Sequence, residues 1–250
     1  MNDEWYCSRQ CAALTFAEDL EASEPASARR RPQALPPLKV GMLLVHQGAI
    51  SPVDLRQALD AQRSSGLPLG RTLVQLERTD RAAVLKALAS QAGLPFLATL
   101  DSSAVRACPE ILAPAAVRAL GLVPFGVDKD RRRMKTACQA PVPRLALAAL
   151  TEVTGWTAEP FLVDDTAMPL LIEAYERACE GLAVGSSTWA TPDEAPATVA
   201  AAAAETEDAT VSHAACAPFV WVRVQGSGAP RDIFVAPGKE TSWPAAHTSH

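Results

Sequence analysis

The sequence predicts an α+β protein. A tandem helical repeat of two helix pairs comes first, then a small α/β unit with a three- to four-stranded sheet, and disordered tails flank both. Three observations carry this expectation. A 24-residue pattern occurs twice, at 39–62 and 68–91. After Gly93 helical periodicity alternates with short β-prone runs. Both ends of the chain lose periodicity and fill with proline, alanine and charged residues.

The repeat is read by sliding the chain 29 positions. Gly41 falls on Gly70, Leu44-Val45 on Leu73-Val74, Ala58-Leu59 on Ala87-Leu88, and Gln62 on Gln91, while Val40/Leu69 and Leu55/Val84 keep apolar character. In each second half, Leu55, Ala58 and Leu59, or Val84, Ala87 and Leu88, stand at i, i+3 and i+4 on one helix face. Gln62 and Gln91 follow at i+7, so an amide projects near each helix end. Two matched amides need partners. A two-lobed ligand meets that need, as do water or loop carbonyls at a helix edge.

The chain divides at 1–36, 37–93, 94–180 and 181–250. The first stretch reads as a flexible extension carrying Arg29-Arg30-Arg31, a solvated basic run. From Leu38, Val40, Leu43 and Leu44 mark a short helix closed by Gly48. Ser51-Pro52-Val53-Asp54 is a helix start, with Ser at the cap, Pro at N1 and an acid at N3. That helix should stop at Gly66. In the second copy Thr79-Asp80 is the cap and Gly93 the stop. Beyond it, 94–98 reads as extended, 110–119 as helix, 122–127 and 132–138 as strands around the turn at 128–130. Residues 141–153 read as helix, 157–163 as strand and 165–180 as helix. Arg131-Arg132-Arg133 marks a solvated turn. From 181 the chain reads as a low-complexity tail, with a hairpin at 219–235 around Gly226-Ser227-Gly228.

Composition narrows the function. The formal charge is −5 with a pI near 5.4, so no global field draws nucleic acid or anionic membrane. No run approaches the length of a transmembrane segment, and the acidic start lacks a signal-peptide pattern. The six cysteines are scattered, with no ligand spacing for a metal. A cytoplasmic protein with reduced thiols is expected. No phosphate-binding loop occurs, because Gly238-Lys239 is followed by Glu240. H-E-x-x-H and G-x-S-x-G are also absent. The expectation is a binding protein, not an enzyme, with no cofactor.

The two motifs read KVGMLLVHQGAISPVDLRQALDAQ and PLGRTLVQLERTDRAAVLKALASQ. This pattern resembles the tandem motif of the MshEN-type cyclic-di-GMP-binding domain, found at the N-terminus of type II secretion and type IV pilus assembly ATPases. The similarity continues through 94–96, 122–128 and 139–175, while the family's ATPase portion has no counterpart in the sequence. The resemblance implies a non-catalytic binding module for cyclic di-GMP, or a protein-docking module for secretion or pilus assembly proteins whose nucleotide site has decayed. It also implies the site residues: Lys39, Val40, Gly41, Leu44, Leu55, Leu59 and Gln62 from the first motif, and Leu69, Gly70, Leu73, Val84, Leu88 and Gln91 from the second. In this scheme the glycines admit backbone to a phosphate, apolar side chains cover the bases, and the glutamines read polar edges. Two departures stand out. The family's leading arginine is Lys39 in one copy and Pro68 in the other, with Arg71, three residues on, or Arg63 in the connector as the compensating cation. A lost charge-assisted contact costs about 1.5–3 kcal/mol, so weaker binding is expected.

Overall fold

The computed structural model describes residues 39–236, so the expected extension at 1–36 and the last residues lie outside the described part. The repeat forms α1 (Val40–His46), α2 (Pro52–Ser65), α3 (Leu69–Gln75) and α4 (Arg81–Ala92). Their ends follow local chemistry. Asp54 N donates to Ser51 Oγ at 3.1 Å and Ser51 N donates to Asp54 Oδ2 at 3.0 Å, a reciprocal cap with Pro52 just inside. Asp80 caps α4 by accepting from Ala83 N at 2.7 Å. Gly66 and Gly93 close α2 and α4 with φ of 68° and 69°, the left-handed region open to glycine.

The principal helix contacts cross between the copies: α1 packs on α4, and α2 on α3. Exchanging the copies maps each contact onto the other, so the repeat is intertwined about a pseudo-two-fold axis. The first helices, α1 and α3, touch one another at that axis. The small core between them holds Leu44, Ala58, Leu73, Val84 and Ala87, with Leu55, Leu69 and Leu88 packed against it.

The α/β unit follows as α5 (Pro114–Leu120), β1 (Val123–Asp128), β2 (Arg133–Cys138), α6 (Arg144–Thr154), β3 (Thr157–Leu162) and α7 (Met168–Cys179). Its three-stranded sheet has the order β1-β2-β3, with β1 antiparallel to β2, and β2 parallel to β3 through the α6 crossover. The extended stretch after Gly93 borders β3, where Leu97 N donates to Leu162 O and Leu162 N to Pro95 O. The three helices begin later than their apolar periodicity suggests. Pro114 opens α5, Pro141 and Pro143 hold the chain out of helix before α6, and a turn at Asp164–Ala167 precedes Pro169 in α7.

Residues 181–236 correct the expectation of a low-complexity tail. They contain β4 (Ser187–Ala190), α8 (Ala195–Ala204), β5 (Thr210–Ala215), β6 (Val220–Gln225) and β7 (Arg231–Val235). The hairpin expected at 219–235 is β6–β7, the centre of a four-stranded sheet ordered β4-β7-β6-β5. The alanine run concealed the helix because it lacks large apolar residues. Ala195, Val199 and Ala202, at i, i+4 and i+7, nonetheless lie on Val222, Val224, Ile233 and Val235, and small side chains let α8 sit close to that β-branched face. The opposite face, with Ala214, Trp221 and Phe234, packs into the core that also takes in Leu150 of α6. Thus α6 lies between the two sheets, and Ser212 Oγ donates to Val153 O at its end at 3.0 Å.

Candidate ligand site

The repeat distributes its expected site residues between core and surface. Leu44 and Leu73 are fully buried and Val84 nearly so, which makes them the packing beneath any site. Val40, Leu55, Gln62, Leu69, Leu88 and Gln91 are half-buried, and Lys39 and Arg71 are exposed. Leu59 departs from the inner stripe that its spacing predicts: it is 39% exposed, whereas its counterpart Leu88 packs against both the repeat core and the larger core. The difference follows from neighbours. The opposite side of α4 abuts the α/β unit through Leu85 and Ala89, and α2 has no such cover among the described residues.

The glycines have a specific local role. A Cβ on Gly41 would stand 2.6 Å from Leu55 Cδ1 and 3.1 Å from Leu69 Cδ2. A Cβ on Gly70 would stand 2.6 Å from Val84 Cγ1. Leu55 and Val84 are repeat equivalents, so both glycines are demanded by the same close approach of first and second helix. Helix packing accounts for these two positions before any ligand is invoked.

The correspondence of the copies extends to the backbone. Lys39 and Pro68 precede their helices with φ/ψ of −62°/139° and −55°/139°. Leu43 N donates to Lys39 O, and Thr72 N to Pro68 O, at matching positions. After each first helix the chain turns through a left-handed residue, Gly48 at φ 70° and Glu77 at φ 54°. The Glu77 turn was illegible in the sequence because the second copy has no glycine there.

Ion pairs anchor the repeat. Arg78 Nε lies 3.5 Å from Asp54 Oδ1, joining the turn before α4 to the start of α2. Arg81 pairs with Asp164 at 3.2 Å and with Asp165, fastening α4 to the loop before α7. Hydrogen bonds from the Ser51 side chain and then its backbone hold the Asp54 carboxyl below the usual carboxylate range. Lys39 and Arg71 have no ion-pair partner among the described residues, unlike Arg63, Arg78 and Arg81.

Other chemistry finds little footing. No group of three or more potential metal ligands assembles among the described residues. Burial pushes the Cys108 thiol up to about 12, Cys138 to about 11 and Cys216 to about 12, so none is a ready nucleophile at neutral pH. A shallow groove of about 230 Å³ lies beside α7, lined by Leu100, Leu170, Glu173 and Arg177 among others, away from every expected site residue. No helix of the described residues is long and apolar enough to cross a membrane.

A buried polar cluster in the second sheet escaped the sequence reading. Arg223 donates through Nε and Nη2 to the two oxygens of Asp232 at 2.7 and 2.9 Å, and through Nη1 to Ile111 O at 2.7 Å. Trp221 Nε1 donates to Asp232 Oδ1 at 2.8 Å, and the guanidinium lies 5.0 Å from the Trp221 ring centroid. The available signal was Arg223 inside the apolar run VWVRVQ and Asp232 beside the apolar run IFV, which the strand register sets opposite one another.

No family model matches the chain. A type IV pilus assembly ATPase, PilB of Thermus thermophilus, is 24% identical over 132 residues, which is 52% of this chain and 14% of that protein. Among solved structures, MshE with cyclic di-GMP is 28% identical, covering 55% of this chain and 98% of that one with a TM-score of 0.44. The N-terminal domain of XpsE is 18% identical, covering 58% and 99%, with a TM-score of 0.38. Over about half its length the chain is similar in sequence to a type IV pilus assembly ATPase, of which it spans only a small part.

Proposed function

We propose that residues 39–91 form a binding module for cyclic di-GMP and that the chain performs no catalytic step of its own. The observation that carries this reading is the intertwined repeat, in which two copies place matched residues about one pseudo-two-fold axis. A cyclic dinucleotide has the same near-symmetry, with two guanines and two phosphates, so each copy serves one half. Half-buried Leu55, Leu69 and Leu88, with exposed Leu59, supply apolar surface for base faces. Gln62 and Gln91 each carry both a donor and an acceptor for guanine edges. The motif resemblance supports the same ligand class, and the pilus ATPase similarity supports a place beside pilus machinery.

A second reading rests on Gly41 and Gly70, whose packing role needs no ligand, and on Pro68, which removes a motif cation. Under it the module docks secretion or pilus assembly proteins without nucleotide. Calorimetric titration of the full chain with cyclic di-GMP separates the two. Saturable binding in the micromolar range or tighter, lost in Gln62→Ala, is expected. No heat at high micromolar excess, with circular dichroism intact, rejects the nucleotide reading in favour of docking.

A further inference from the structure

The two copies place their cations differently at the start of the first helix. Position 39 is lysine and its equivalent 68 is proline; position 42 is methionine and its equivalent 71 is arginine. Each copy therefore carries a cation at the start of its first helix, Lys39 at the N-cap of α1 and Arg71 in the first turn of α3. An N-cap side chain and the third helical residue meet over the same first turn, so the displacement keeps the charge beside that turn. Met42 is 56% exposed and Arg71 is exposed, so this position faces solvent in both copies. Helical side chains lean towards the N-terminus and cover the preceding turn. An extended guanidinium at 71 thus reaches back over the backbone of Pro68, the place that Lys39 serves in the first copy.

Resting on the nucleotide reading above, we infer that Arg71 is the anion-binding residue of the second half-site and the functional counterpart of Lys39. Neither cation is committed to a carboxylate among the described residues. The ligand that suits them carries two anionic groups related by an approximate two-fold. Because the cations sit at different helical positions and differ in shape, the two half-sites are unequal. The arginine offers a planar fork to one phosphate and the lysine a point charge to the other.

The backbone permits a direct test by relocation. Pro68 holds φ/ψ within a few degrees of those of Lys39, so a non-proline residue is accommodated at 68 without strain. Full-length wild type, Arg71→Ala, Pro68→Arg/Arg71→Ala and the control Lys86→Ala are titrated with cyclic di-GMP. The expected result is at least a tenfold loss of affinity in Arg71→Ala, recovery of most of it in the double variant, and no change in Lys86→Ala. Binding by wild type that Arg71→Ala leaves unaltered overturns this assignment while sparing the nucleotide reading. A loss that Pro68→Arg fails to recover overturns the claim that charge beside this first turn is what matters. Absence of binding by wild type overturns the nucleotide reading and this assignment together.

Discussion

At the scale of single residues, the repeat shows how one motif position can answer two demands. Gly41 and Gly70 were legible as a pair in the sequence, but their immediate reason is the Leu55 or Val84 side chain lying where a Cβ would go. The two contacts are equal in distance and unequal in compliance. Leu55 presents a terminal methyl on a side chain that can turn about χ2, and Leu55 is only half-buried. Val84 presents a methyl on a branched Cβ with one preferred rotamer in a helix, and it is buried. Gly70→Ala should therefore cost more stability than Gly41→Ala. Overpacking of this kind costs typically about 1–3 kcal/mol, with Gly70→Ala towards the upper end and Gly41→Ala near the lower. Urea denaturation of the two variants checks the order, and equal midpoints would mean that α3 shifts as freely as α1.

At the scale of elements, capped helices were readable and the second sheet was not. Ser51, Pro52 and Asp54 announce a helix start through local hydrogen bonding, and Gly66 and Gly93 announce its end, so those boundaries needed no tertiary information. Strands β4 and β5, by contrast, are short and rich in Ser, Thr and Ala, and only their pairing with β7 and β6 gives them a conformation. The β6–β7 pair is held in register by Arg223 opposite Asp232, an ion pair that is almost wholly buried. Such a pair contributes little net stability, yet removing one partner strands a charge in the interior. Arg223→Met alone and Asp232→Leu alone should each destabilise by about 3–5 kcal/mol. The Arg223→Met/Asp232→Leu double variant should recover most of that loss, although the Ile111 carbonyl loses its donor. A chemical-denaturation cycle measures the coupling. Additive losses would place the importance of Arg223 in its bond to Ile111 instead.

At the scale of the whole molecule, the helical repeat, the α/β unit and the second sheet share core residues. Leu85 and Ala89 of α4 enter the same cluster as Leu150 of α6 and Trp221 and Phe234 of the second sheet, while Val84 and Ala87 of that same α4 belong to the repeat core. A sequence reading divides a chain where composition changes, and composition changes at 181. The core ignores that boundary because α6 offers one side to each sheet. A chain ending at Glu180 would therefore lose Ala214, Cys216, Phe219, Trp221 and Phe234 from the main core, and Arg223 from the Ile111 carbonyl. Truncating one large buried aromatic typically costs about 3–5 kcal/mol, against a total stability of about 5–15 kcal/mol for a folded domain. The shortened chain is expected to lose its cooperative urea transition and to bind a hydrophobic dye, as loosely packed states do. If it unfolds cooperatively at a midpoint close to that of the full chain, the second sheet is an appendage and the shared core contributes little. The expected collapse would instead mean that any binding event at the repeat takes place on a scaffold whose rigidity depends on residues more than a hundred positions away.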